Sequence, residues 1–116
     1  MPMAHPVPDR FRTIVADAVR MIADGDLAAV HEHPQIGIRG DDPLVWVRHY
    51  PATITALPAE AWDIADAIEI NGHPGTWSLV VPLWTAEEGR SDLSLEATAQ
   101  DLPSGPAITI DGIHVR

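Results

Sequence analysis

Hydrophobic and polar positions change period once along the chain, near residue 51, from helical spacing to alternation. Phe11, Ile14, Val15, Ala18 and Ile22 recur at intervals of three and four and define one face of a helix. Asp9 stands where a cap is expected. Asp24-Gly25 supplies the stop, because glycine enters the left-handed region at no steric cost. Asp26 is placed to cap a second short helix, Leu27 to about His31, closed by Pro34. Residues 35–41, with Gly37 and Gly40, read as a loop. Asp42-Pro43 then opens a short helical segment through Tyr50, which Pro51 ends.

Beyond Pro51 the pattern is that of strands. Ala52 to Ala56 predicts a short strand, and Pro58 to Ala61 a turn or a single helical turn. Residues 63–70 fit helix or strand, with Ala67 to Ile70 before Asn71-Gly72 favouring a strand running into a turn. Trp77, Leu79, Val81 and Leu83 alternate with Ser78, Val80, Pro82 and Trp84. Both faces are apolar enough to be covered, and Pro82 requires an edge or a bulge. Thr85 to Arg90 reads as a hairpin loop with Gly89 at positive φ. The returning strand puts Leu93, Leu95, Ala97 and Ala99 on one face and Asp92, Ser94, Glu96 and Thr98 on the other. Ala107 to Val115 changes register at Asp111-Gly112, which predicts a bulge at Gly112.

Helices followed by strands predict an α+β fold, with the N-terminal helices on one face of an antiparallel meander of about four or five strands. A cystatin-like or nuclear-transport-factor-like roll has this order of elements, a comparison at fold level only. Residues 1–8, rich in proline, are expected to fray, and residues 9–116 to form one domain.

Charge narrows the functional classes. The chain carries a formal net charge of −10, with seven arginines and no lysine. A nucleic-acid binder needs a basic face to neutralise phosphates, so that class is disfavoured. A basic protein partner suits the field, as does solubility alone. Residues 51–116 hold ten acids against only Arg90 and Arg116, leaving eight of the ten net negative charges in the strand half. There is no apolar run long enough to span a membrane, no signal-peptide pattern and no cysteine, so a cytoplasmic protein is expected.

The string Trp84-Thr85-Ala86-Glu87-Glu88-Gly89-Arg90-Ser91-Asp92-Leu93, with Ile113-His114-Val115 near the end, carries a likeness. It resembles a small family of uncharacterised bacterial domains sharing a W-T-x-E-E-G-R-S-D-L hairpin and a terminal I-H-V strand. The likeness covers residues 76–115 well and the first helix loosely. It implies shape rather than activity, and it directs attention to the hairpin.

Several groupings offer chemistry. Trp84, Glu87, Glu88, Arg90, Asp92 and Glu96 place an aromatic anchor within a ring of charge, the residue types that dominate protein interfaces. The competing structural reading pairs Arg90 with Asp92 or Glu88 to stiffen the loop and has Trp84 cover a helix. His31-Glu32-His33 lacks the i, i+4 spacing of a helical zinc pair and reads as solvated histidines at a helix end, so no metal site is expected. His49, Tyr50, Asp66 and His114 are the candidates for acid–base work, with Asp66 interesting only if a longer strand buries it. Gly37-Ile38-Arg39-Gly40 lacks the spacing and the lysine of a phosphate loop, and no cofactor is expected.

The leading expectation is a non-enzymatic protein-interaction domain, of immunity, antitoxin-like or regulatory type. It would use the hairpin and the acidic sheet face. The alternative is a roll-fold enzyme or carrier with an internal small-molecule pocket, and a homodimer through the apolar strand 77–84 is a third arrangement.

Overall fold

The computed structural model describes residues 4–40 and 42–115. In chain order these form α1 (Asp9–Ala23), α2 (Leu27–Glu32), β1 (Ile36–Ile38), α3 (Leu44–His49), β2 (Ile54–Thr55) and α4 (Ala61–Ile64). The rest of the chain is β3 (Asp66–Glu69), β4 (Thr76–Thr85), β5 (Gly89–Leu102) and β6 (Gly105–Val115). The architecture is α+β: α1 packs against a curled, mostly antiparallel six-stranded sheet that forms a half-barrel.

The predicted face of α1 is the buried one, with Val19 added to Phe11, Ile14, Val15, Ala18 and Ile22. Asp9 is not its cap. Pro8 holds that position, and its carbonyl accepts from Phe11 N and Arg12 N. Asp9 falls inside the first turn, where its carboxylate lies 3.5 Å from Arg12. Gly25, at φ +71°, ends the helix as expected. The Asp26 side chain accepts from Ala29 N at 3.0 Å and caps α2. Asp42 serves the start of α3 by accepting from Leu44 N at 2.8 Å.

Strand order is β1-β6-β5-β4-β2, with β3 also on β4. The expected loop at 35–41 contains β1, which joins β6 in parallel through Ile36 opposite Ile108 and Ile38 opposite Ile110. Three residues are too few to show a period, and Gly37 within the strand and Gly40 beyond it masked it. That strand, and the split of β4's other edge between β2 and β3, raise the count from the expected four or five strands to six. The strand expected over 52–56 shrinks to Ile54–Thr55.

β3 covers Trp77–Val80 of β4, and β2 covers Trp84 and Thr85. Pro82, with no N–H to contribute, lies in the gap between them. The β4–β5 register also shifts between Pro82 and Trp84. There the Ser91 hydroxyl, buried in the bulge, donates to Leu83 O at 2.8 Å and accepts from Leu93 N at 3.1 Å. The second irregularity lies between Glu96 and Ala97, where Asp111 is the extra residue beside Gly112, one position from the expected site.

One sheet face carries Leu79, Val81, Leu83, Leu93, Leu95, Ala97, Ala99, Ile108, Ile110 and Ile113, all buried against α1 and its neighbours. Trp77 joins this inner face and meets Phe11 with ring centroids 5.5 Å apart. Residues 5–8, expected to fray, are tied down. His5 exchanges two backbone hydrogen bonds with Ala67, both 2.8 Å, and Val7 is buried. Residues 1–3 lie outside the described residues.

Arg10 fastens the start of α1 to the far end of β5, with Nε and Nη2 each 2.7 Å from a different Asp101 carboxylate oxygen. The same guanidinium lies 5.0 Å from the Trp77 ring centre. This pairing holds the Asp101 carboxyl below its ordinary value, mainly through the Arg10 hydrogen bond.

Two outcomes follow from this packing. Leu95→Ala opens a cavity at the centre of the inner face and lowers stability by about 2–5 kcal/mol in urea unfolding. Asp101→Asn, at a half-exposed pair, costs about 1 kcal/mol at most at neutral pH. Because the folded-state pKa is depressed, unfolding takes up protons as the medium becomes acidic. The wild-type advantage over Asp101→Asn is therefore complete above about pH 4 and shrinks as pH falls through the lower folded value.

Candidate functional site

Register assigns the outer face row by row. Thr55, Trp84 and Arg90 make one row, and Pro82, Ser94 and His114 the next. Asp66, Val80, Glu96 and Gly112 follow, then Ile68, Ser78, Thr98, Thr109 and Gly37. β4 thereby sends a stripe of Val80, Pro82 and Trp84 outward, between Asp66 on one side and Asp92 and Glu96 on the other. Pro82 and Ser94 are buried, Val80, Trp84 and Glu96 half-buried, and Asp66, Arg90 and Asp92 exposed. The outer side of β4 is thus half-open, less covered than its apolar alternation suggested.

The hairpin between β4 and β5 is built by its own side chains. The Thr85 hydroxyl donates to Gly89 O at 3.1 Å and accepts from Glu88 N at 3.0 Å, while Gly89 sits at φ +80°. Glu87 is held within the chain. Its two carboxylate oxygens each accept from Thr53 N at 3.0 Å, and Oε2 also accepts from the Thr53 hydroxyl at 3.2 Å. Ala86 N donates to Thr53 O at 2.9 Å, so the tip is fastened to the approach to β2. Glu88, Arg90 and Asp92 remain exposed, and among the described residues Arg90 makes no ion pair.

Of the four acid–base candidates, His49 and Tyr50 follow one another in the chain but engage different groups. His49 is exposed at the end of α3, with Nδ1 2.8 Å from Val45 O. The Tyr50 hydroxyl accepts from Asp92 N at 3.1 Å. Asp66 is exposed at the start of β3 and borders an open cleft of about 390 Å³ with His5, Arg12, Trp62 and Asp63. His114 borders a different cleft, of about 370 Å³, with Arg39, Asp42 and Val45. Neither cleft holds two of the four. At the end of α2, His31 is exposed, and His33 Nδ1 accepts from Gln35 N at 3.1 Å. Among the described residues no group of three or more His, Cys, Asp or Glu could hold a metal ion.

Sequence reasoning missed the cluster around the β6 bulge. Thr98 donates to Asp111 Oδ2 at 2.8 Å, and Arg39 Nη1 lies 3.0 Å from Asp111 Oδ1 without the alignment of a hydrogen bond. His114 folds its ring over Gly112, where an added methyl would collide with the imidazole. Across the cleft Asp42 is held below its usual value by Leu44 N first and by Arg48 next, 2.7 Å away. The bulge was the only signal in the sequence; the arginine that meets it comes from a segment read as loop.

Glu87 and Glu88 are adjacent acids with different work. Glu87→Ala lowers stability by about 1 kcal/mol and speeds hydrogen exchange at the Thr53 amide. Glu88→Ala changes neither beyond about 0.5 kcal/mol. Thermal unfolding with amide exchange separates the two variants.

No curated protein and no solved structure matches this chain. A family model does match, over residues 19–116, from the end of α1 through the whole sheet. The chain belongs to the family described as Domain of unknown function (DUF7668).

Proposed function

We propose that this chain is a non-catalytic interaction domain that binds a basic protein surface through the outer face of β4 and β5 and the adjoining hairpin. The observation that carries the reading is the pair Val80 and Trp84, half-buried on either side of buried Pro82 and flanked by Asp66, Asp92 and Glu96. Tryptophan supplies contact area at low entropic cost, and flanking acids steer a cationic partner and fix its orientation. Arg90, exposed beside Trp84, adds a donor for a carbonyl or carboxylate at the rim. The net charge of −10 accelerates encounter with a basic surface at low salt. An immunity or antitoxin-like protein that masks a basic toxin is one concrete form of this activity.

The pocket reading draws less support. Neither cleft brings together two of His49, Tyr50, Asp66 and His114, and the hydroxyl of Tyr50 already accepts from Asp92 N. The contact set favours Glu88 and Asp92 over Glu87, whose carboxylate serves the fold.

The test uses the tagged chain to recover partners from its native cell, followed by binding of the purified partner. The double variant Glu88→Arg, Asp92→Arg weakens that complex by about tenfold or more, with circular dichroism and Tm preserved, and added salt weakens the wild-type complex in parallel. Undiminished affinity in the folded double variant rejects the outer face as the binding surface.

A further inference from the structure

The turn between β3 and β4 holds the only asparagine of the chain, Asn71, followed by Gly72. His73 N donates to Ile70 O at 3.1 Å and closes a turn with Asn71 and Gly72 at its centre. Gly72 sits at φ +79° and Asn71 does not share that region, the pattern of a type II turn. A second turn follows at once, with Thr76 N donating to His73 O at 3.1 Å and Gly75 at φ +78°. Ile70 N donates to Thr76 O at 2.9 Å and shuts the loop at its base. The backbone is therefore shaped by bonds on either side of Asn71-Gly72.

The reactive groups of that pair are unrestrained. Asn71, Gly72, His73 and Pro74 are all exposed. Among the described residues neither the Asn71 carboxamide nor the Gly72 N–H makes a hydrogen bond. A Cβ added at Gly72 would meet no atom within 4 Å, so the nitrogen beside it has open space in which to move. The chain has two further glycines that follow an acid, and both differ. At Asp24-Gly25 the glycine N–H is taken by Ile22 O at 3.0 Å in the end of α1. At Asp111-Gly112 the carboxylate accepts from Thr98 at 2.8 Å, and the His114 ring covers the glycine. An ionised carboxylate is also a poorer acyl donor than a carboxamide.

We infer that Asn71 is a site of spontaneous deamidation, with water as the co-reactant, and that its product remodels the β3–β4 turn. Base in the medium removes the Gly72 N–H proton, and the nitrogen attacks Asn71 Cγ. The new N–Cγ bond closes a succinimide ring as Cγ–Nδ2 breaks, and the proton returns through solvent to the departing ammonia. Water then opens the ring at either carbonyl. Cleavage of N–Cγ restores the peptide and leaves aspartate. Cleavage at the backbone carbonyl leaves isoaspartate, with the main chain routed through the former side chain. Either product adds negative charge to an exposed turn of an already acidic chain. Isoaspartate also inserts a carbon between Ile70 and His73, whose hydrogen bond defines the turn. The site is separate from the outer face of β4 and β5 and does not depend on it.

The test keeps the full chain in warm, mildly alkaline buffer, folded in one sample and unfolded by guanidinium chloride in another. Intact mass spectrometry of the folded chain is expected to show the mass gain of an amide-to-acid exchange, at a rate comparable with the unfolded sample. Fragmentation places the gain at Asn71, and an isoaspartyl methyltransferase with a labelled methyl donor marks the same peptide. The rate rises with pH, because the attacking nitrogen must lose its proton. Asn71→Gln removes the gain, since glutamine would have to close a larger ring, and Gln35 and Gln100 serve as internal controls. In the aged chain the amides of Ile70 and His73 exchange faster than in the fresh one, as the turn loosens. A folded chain that keeps its mass overturns the proposal, and conversion of the unfolded sample alone assigns the protection to the turn. A gain that persists in Asn71→Gln, or isoaspartate confined to Asp24 or Asp111, overturns it too. Unchanged exchange at Ile70 and His73 in the aged chain overturns the effect on the turn.

Discussion

The apolar face of α1 against the inner face of the sheet is the contact on which the rest of this structure depends. Phe11, Ile14, Val15, Ala18, Val19 and Ile22 are buried in one cluster with Leu79, Val81, Leu95, Ala97, Ile108 and Ile110. A curled sheet with one apolar face has no stability of its own in water. At roughly 25 cal/mol per Å² of apolar surface removed, a helix seated on it provides the favourable term. The small residues Ala97 and Ala99 at the centre of β5, and Ala18 on the helix, let the two layers approach closely. Arg10 then locks the angle, gripping Asp101 with both arms of its guanidinium while lying over the Trp77 ring.

With that contact in place, the irregularities of the sheet become affordable. Pro82 interrupts β4 where β2 and β3 leave a gap, and the Ser91 hydroxyl fills the adjoining bulge. Asp111 interrupts β6, and Thr98 and Arg39 meet its carboxylate. Each break is supplied with a polar partner from another element, and each alters the surface nearby. The first bulge lies between Pro82 and Trp84, the outermost residues of the β4 stripe. The second sets Asp111 and Gly112 beside the Arg39 cleft. Surface character in this fold is largely a consequence of where strand pairing fails.

Charge follows the same division. Acids of the strand half that serve the fold are tied to particular groups, Glu87 to Thr53, Asp101 to Arg10 and Asp111 to Thr98. Asp66, Glu88 and Asp92 are exposed and carry the negative field outward. Adjacent residues such as Glu87 and Glu88 therefore have unlike roles, which their chemistry alone could not separate.

Local order was legible because it is encoded by neighbours in the chain. The buried stripe of α1, the stop at Gly25, the Asp26 cap, the alternation of β4 and β5, the turn at Gly89 and the break near Gly112 all follow from spacings of a few residues. The same hydrophobic period predicted the α+β class. Three features escaped it. β1 exists because β6 offers Ile108 to Ile110 as a template, not because Ile36-Gly37-Ile38 has strong strand character. Arg10 with Asp101 and Thr53 with Glu87 join residues 91 and 34 positions apart, and nothing local signals such a pair. The cleft at Arg39 forms only when the end of β1 is set against the bulge of β6. The sequence by itself determined which residues form elements and which faces are apolar. Tertiary structure decided which charges are consumed by the fold and which strands pair, because those outcomes depend on contacts between segments distant in the chain.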